Sequence, residues 1–185
     1  TDIMNEETLS SGFFGEDITL DIYTDLKEFY TPANGFSRLH LCRRYGKLHI
    51  LKSLQPFYSS QEFYKQLLLK EFNIGYQLDH PNIRHTLGWE KNDLLGNYIV
   101  LEYIDGILLT TFIEQGKLTQ ALAYKFITEI CNALQYIHSK QLIHKDLKPN
   151  NILITHNGNN VKLIDFGLAD CDDYEILKIP AGTEK

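Results

Sequence analysis

Hydrophobic and polar positions begin to alternate at Phe36. Leu39 and Leu41 fall on one side of an expected strand, Tyr45-Gly46 supplies a turn, and Leu48, Ile50 and Lys52 share one side of a second strand. The pattern predicts a hairpin with a lysine on its apolar face. Ser59-Ser60-Gln61-Glu62 then offers a helix start, and Phe63, Leu67, Phe72 and Leu78 recur at near-helical spacing until Asp79-His80-Pro81-Asn82 ends the run. Two further apolar stretches, Thr86 to Trp89 and Asn97 to Tyr103, flank the turn residues Asn92 to Gly96. The expected product is a small antiparallel sheet carrying one helix.

Asp105-Gly106 breaks this pattern, and a lobe boundary is expected near Asp105. Beyond it the chain turns helical, with Thr119 as a cap and Leu122, Phe126, Ile127, Ile130, Leu134 and Ile137 on one stripe. Short strands follow: Leu142 to His144, Asn151 to Ile154 and Val161 to Ile164, with Asn157-Gly158 as a tight turn. Thr1 to Glu16 lacks sustained periodicity and reads as an extension without chemistry, whereas Asp165 to Lys185 is acidic and aperiodic, as expected of a loop.

With 185 residues and 43% hydrophobic content, the chain has apolar material for a core and needs neither disulfides nor a structural metal. Cys42, Cys131 and Cys171 agree: they are odd in number, widely spaced and free of any CxxC pair, so buried, inert thiols in a reducing compartment are expected. A formal charge of −6 is the wrong sign for a nonspecific nucleic-acid binder. Apolar runs such as Tyr98 to Leu101 fall far short of the roughly 20 residues that cross a bilayer. The opening at Thr1 lacks the basic and then apolar order of a secretion signal, and the chain reads as cytoplasmic and as a candidate piece of a longer protein.

The chemistry concentrates late in the chain. His144 to Asn151 reads His-Lys-Asp-Leu-Lys-Pro-Asn-Asn, and Asp165-Phe166-Gly167 begins fourteen positions after Asn151. Asp146, Asn151 and Asp165 place two carboxylates and an amide near the ends of short strands, where hard oxygen donors can meet a magnesium ion and a phosphate. Asp146 is then a candidate to accept a hydroxyl proton, with Lys148 steadying negative charge on the transferred group. Taken alone, the same pentapeptide reads first as a turn whose polar residues satisfy backbone groups.

In combination the segments resemble the eukaryotic-type protein kinase family, whose order is a glycine-rich loop, a lysine on the third strand, a glutamate on the next helix, HRDLKPxN and DFG. Here these correspond to Lys52 in His49-Ile50-Leu51-Lys52, Glu71 upstream of His80-Pro81-Asn82-Ile83, the His144 to Asn151 segment and Asp165 to Gly167. The resemblance implies a two-lobed α+β fold: residues 1–25 an extension, 26–104 an antiparallel-sheet N-lobe with one helix and the hinge, and 105–185 an incomplete, mainly helical C-lobe. It implies ATP and Mg²⁺ as nucleotide and metal, and a protein Ser/Thr hydroxyl as acceptor. Lys52 would hold the α and β phosphates and pair with Glu71; Asp146 would take the hydroxyl proton; Lys148 would contact the γ phosphate; Asn151 and Asp165 would hold the metal. Leu101 resembles the gatekeeper, Glu102 and Ile104 would offer backbone to the purine edge, and Leu39, Ile50 and Leu153 would enclose the adenine. His144 and Phe166 resemble packing residues of the internal spine. Lys148 is similar to the lysine of Ser/Thr kinases, and Gly182-Thr183 to the start of the segment that docks the acceptor.

The sequence also departs from that pattern. Pro32 to Leu39 carries none of the three expected loop glycines, Ile50 replaces the alanine over adenine, Gly75 occupies the place of a spine hydrophobe, and Lys145 replaces arginine. Ile50 is expected to overfill its slot and Gly75 to leave the helix poorly fixed. Asp170, Asp172, Asp173 and Glu175 are candidates for built-in negative charge opposite Lys145. These departures motivate a second reading, a pseudokinase or nucleotide-binding scaffold, and a third and weaker one, a small-molecule phosphotransferase. The remaining C-lobe helices of a kinase, or a partner protein, are expected to cover the face left open after Lys185.

Overall fold

The computed structural model describes residues 23–30, 35–143, 147, 149–164 and 170–171. Its first part is a five-stranded antiparallel sheet of order β1-β2-β3-β5-β4, formed by β1 (Tyr23–Tyr30), β2 (Ser37–Arg44), β3 (Lys47–Leu54), β4 (Thr86–Asn92) and β5 (Gly96–Glu102). The hairpin expected from the Leu39/Leu41 and Leu48/Ile50/Lys52 alternation is present, with Arg44 opposite Lys47. Its two-residue turn needs positive φ at both positions, and Tyr45 (51°) and Gly46 (78°) supply it. β1 was not marked by the alternation; its pairing with β2 shifts register twice, between Thr24 and Lys27 and between Glu28 and Tyr30, which breaks the period-two signal.

Each face of the sheet buries its own apolar set. Cys42, Leu51, Leu95, Tyr98 and Val100 gather on one face beneath Tyr23. Ile50, Leu54, Leu68, Ile99 and Leu101 gather on the other, with Phe36, Leu39, Leu41, Phe72 and Trp89 packed around them. Helix α1 (Glu62–Tyr76) contributes Leu68 and Phe72 to the second set. It begins at Glu62, the last residue of the expected start, and the N-cap Gln61 makes no side-chain cap bond; Ser59 Oγ donates to Pro56 O in the preceding turn. Phe63, expected on the buried stripe, is 48% exposed.

The second part opens with β6 (Gly106–Leu108), a short strand where a helix was expected, followed by α2 (Leu109–Glu114) and α3 (Gln120–Ser139). Thr119 caps α3 as expected, its hydroxyl accepting from Leu122 N at 3.2 Å. Phe126 and Ile137 are buried and Leu122, Ile130 and Leu134 pack partly buried against their cluster, but Ile127 is 58% exposed; Ala133, outside the expected stripe, is buried as well. Strands β8 (Ile152–Thr155) and β9 (Val161–Leu163) pair with each other, and β8 with β6. Pro149–Asn151 is a 3-10 turn, so Asn151 ends that turn and does not start the strand. β7 (Leu142–Ile143), where a short strand was expected, pairs with β10 (Asp170–Cys171), which falls in the stretch from Asp165 expected to be loop.

A third apolar cluster joins the two parts. Ile74 and Leu78, from the end of α1 and just beyond, and Ile83 pack with Leu109, Phe112, Phe126, Ile137, Ile152, Ile154, Val161 and Leu163. Of the cysteines, Cys42 is a buried free thiol and Cys131 an exposed one, which corrects the expectation that all are buried. Among the described residues no helix is long and apolar enough to cross a membrane.

Candidate active site

Lys52 reaches the site because β3 is an inner strand. It lies opposite Leu39 on β2 and Ile99 on β5. Glu71 reaches it from the buried side of α1. Lys52 Nζ stands 2.7 Å from Glu71 Oε1, with the side chains only 12% and 9% exposed. A charge-assisted hydrogen bond of this length in a partly dry setting fixes the ammonium far more firmly than a surface pair would.

Gly75 lies one helical turn after Glu71, and its expected looseness is not what the structure shows. A Cβ built there would meet Thr86 Oγ1 at 2.3 Å, so the threonine on β4 already fills the space that a larger residue would take. The bare glycine lets α1 approach β4 closely, and Glu71 stays within reach of Lys52.

Of the residues expected around a purine, Leu39, Ile50 and Leu101 fall in one apolar cluster. Ile50 pairs across the sheet with Leu41 and Leu101, both Ile50 and Leu101 are buried, and half-buried Leu39 packs on the same cluster. Ile104 is buried just after β5, and Leu153 is half-buried on β8, opposite Leu108. The Glu102 carboxylate is engaged elsewhere: Oε2 accepts from His85 N and lies 2.9 Å from His85 Nδ1, and Oε1 is 3.8 Å from Lys162 Nζ. Burial works to raise the Glu102 pKa, but the His85 hydrogen bonds and the Lys162 charge outweigh it and hold the carboxyl below its ordinary value. His85 moves the other way, raised chiefly by its bond to Glu102 and helped by Asp79 at 3.2 Å.

Asn151 is buried, and its backbone carbonyl accepts from Ile164 N at 3.1 Å, which brings the turn against the end of β9. Asp146, Lys148 and Asp165 lie outside the described residues, as do Pro32 to Asn34, His144, Lys145, Phe166 and Gly182-Thr183. Of the expected site residues, the structure therefore describes the Lys52–Glu71 pair, the apolar cluster of Leu39, Ile50 and Leu101, and Asn151. Among the described residues no three His, Cys, Asp or Glu side chains gather in a metal-binding group.

Sequence reasoning used the segment between α1 and β4 only as a helix stop and a family landmark. Asn82 is buried, donating from Nδ2 to Val161 O at 2.9 Å and Glu129 Oε1 at 3.1 Å, while its carbonyl accepts from Leu163 N at 2.8 Å. Arg84 N donates to Leu163 O at 2.9 Å and its Nη2 to Ile164 O at 2.7 Å. The available signal was a polar residue on each side of Ile83, itself only 1% exposed, in a stretch short enough to need side chains to complete its backbone bonding.

Comparison with known proteins agrees with this geometry. A family model described as "Protein kinase domain" matches residues 35–183. Serine/threonine-protein kinase PrkC of Bacillus subtilis (strain 168) is 37% identical over 122 residues, covering 64% of this chain and 18% of its own. Calcium-dependent protein kinase 5 of Plasmodium falciparum (isolate 3D7) is 40% identical over 121 residues, 63% of this chain and 21% of its own. The cAMP-dependent protein kinase catalytic subunit 3 of Drosophila melanogaster is 34% identical over 156 residues, 81% of this chain and 26% of its own. This chain thus spans less than a third of the length of each of these relatives. The sheet with its helix-borne glutamate and strand-borne lysine, together with the matched segment, assigns the chain to the protein kinase domain family.

Proposed function

We propose that this chain contributes the nucleotide cleft and catalytic loop of a serine/threonine protein kinase that uses ATP and Mg²⁺. The observation that carries the reading is the Lys52–Glu71 pair at 2.7 Å, on the sheet that carries the apolar cluster of Leu39, Ile50 and Leu101. A fixed ammonium near apolar side chains suits a ligand that is anionic at one end and flat and apolar at the other. Lys52 would bind the α and β phosphates and Glu71 would keep its Nζ in place. The backbone of Glu102 and Ile104 would meet the purine edge, since the Glu102 carboxylate is already committed to His85. Leu153 would close the purine site from the other side.

Asn151 is buried, its amide oxygen is of the type that suits magnesium, and with Asp165 it would hold the metal. Bound magnesium would neutralise charge on the phosphates. Asp146 would orient the acceptor hydroxyl and take its proton as the oxygen bonds to the γ phosphorus and the bridging oxygen departs with the diphosphate. Lys148 would steady the γ phosphoryl group.

The test is titration of ATP with and without magnesium into the protein, followed by phosphate transfer to a generic Ser/Thr protein, with Asp146→Asn as control. Transfer that disappears in the control supports the kinase. A second reading, a nucleotide-binding scaffold, rests on buried Ile50 in that cluster, and binding with no transfer would favour it.

A further inference from the structure

We propose that Gln55 is a positioning residue for the nucleotide phosphates, acting through the backbone of Gly35 to Ser37; this rests on the kinase reading above, in which that stretch belongs to the loop covering the phosphates. Gln55 directly follows β3, three positions after Lys52. Its side-chain amide donates from Nε2 to Gly35 O at 2.8 Å and to Ser37 O at 3.3 Å, and its backbone N–H donates to Phe36 O at 2.8 Å. Three successive carbonyls are thus met by one residue. A carboxamide nitrogen carries two N–H donors, which suits it to grip two carbonyls at once. Gln55 makes other contacts too, but these three bonds meet on a single stretch.

The same stretch is held from other directions. The Phe36 ring packs against Tyr64 of α1 with centroids 5.3 Å apart, and Tyr64 in turn meets Tyr58 at 4.6 Å. Ser37 opposes Leu54, and Arg38 opposes Ser53, whose hydroxyl accepts from Arg38 Nε at 3.3 Å. Two residues beyond Ser37, Leu39 opposes Lys52. One strand therefore carries the ammonium proposed to hold the α and β phosphates and leads straight into the amide that fixes the neighbouring backbone. A glycine-rich loop folds freely over a ligand and loses that freedom on binding, whereas a stretch already ordered by its own chain has less to lose. Each peptide unit is planar, so gripping Gly35 O and Phe36 O also sets the directions of the Phe36 and Ser37 N–H groups. Successive backbone N–H groups are donors that suit phosphate oxygens.

The test uses the full chain with Gln55→Met, which keeps the length and the backbone donor but removes the amide. Affinities for ATP with magnesium and for adenosine are measured by calorimetry, since only ATP senses the phosphate end. The expected result is adenosine affinity within about twofold of the parent, and a preference for ATP over adenosine reduced about tenfold, the size that one or two neutral hydrogen bonds support. A merely structural role would weaken both affinities together and leave the preference intact, and that result overturns the proposal. An unchanged affinity for both ligands overturns it as well. Should Gln55→Met fail to fold, Gln55→Asn decides by the same ratio, because its amide sits one carbon too short to reach Gly35 O and Ser37 O together: a reduced preference supports the proposal and an undiminished one overturns it. If the parent itself shows no preference for ATP over adenosine, the kinase reading fails first; if the parent shows it and the variants keep it, this inference alone fails.

Discussion

The two sides of the proposed cleft are built by different means. On the sheet side, position follows from register: Lys52 is placed by its opposition to Leu39 and Ile99, and apolar clusters on both faces lock that register. On the other side, Asn151 and Ile164 are placed by a short turn and a mesh of hydrogen bonds from Asn82 and Arg84. Periodic packing tolerates substitution in proportion to volume, whereas a hydrogen-bond mesh fails at single atoms. The sheet side should therefore respond to lost charge or added bulk, and the other side to lost donors.

The largest effect is expected at the ion pair. Glu71→Gln leaves the Lys52 ammonium without its carboxylate, and a broken buried pair costs about 3 kcal/mol or more, measurable by denaturant unfolding. Phosphate transfer should fall on the order of 100-fold, because a displaced ammonium misplaces the phosphates.

Next comes bulk against β4. Gly75→Leu drives a side chain into Thr86 and should cost about 1 to 3 kcal/mol, with transfer reduced as α1 moves outward. Adding Thr86→Gly should recover part of the loss, with a coupling of about 0.5 kcal/mol or more in a double-mutant cycle. Additive losses would show that the two side chains do not share the space. A gain of activity in Gly75→Leu alone would restore the expectation that this position lacks a hydrophobe.

Loss of the α3 cap is smaller. Thr119→Ala should destabilise by about 1 kcal/mol, read from the unfolding midpoint, with little change in nucleotide affinity.

The smallest effect belongs to pH. His85 has a raised folded pKa, so its contribution is complete below the ordinary value of 6.5 and fades as pH rises through the folded value. Glu102 has a lowered pKa, so its contribution is present above the ordinary 4.5 and fades as pH falls through the folded value. The pair is thus strongest between about 4.5 and 6.5. His85→Gln should flatten the decline in stability as pH rises above 6.5, by under about 1 kcal/mol given the exposure of the histidine.

This contrast also explains what could be seen in the sequence. The β2–β3 hairpin, Lys52 on its apolar face and the Thr119 cap were legible because strand alternation and capping are local. Glu71 was legible only through the family pattern, since a lone helix glutamate carries no such information. β1 escaped notice because its register shifts erase the alternation, and β6 because three residues are too few to show a period. Ile127 was assigned inward because helical spacing does not reveal how wide a face will be covered. Arg84 was invisible for a deeper reason: its acceptor lies eighty residues away, and no local pattern marks a long-range donor. Asp146, Lys148 and Asp165 rest on the motif alone. The thiols offer a simple check on burial: alkylation of the native protein should label Cys131 and spare Cys42, whose thiol is buried and pushed up to about 11.

Helix α1 is anchored unevenly, with Ile74 in the core of the second part while its opening turns ride on the sheet. Any swing of the sheet then pivots the helix near Ile74. At 1.5 Å per residue Glu71 sits only about 4.5 Å from that pivot and Glu62 about 18 Å, so a tilt of about 10° shifts Glu62 by about 3 Å but Glu71 by under about 1 Å. The far tip can sweep while the carboxylate keeps hold of its lysine.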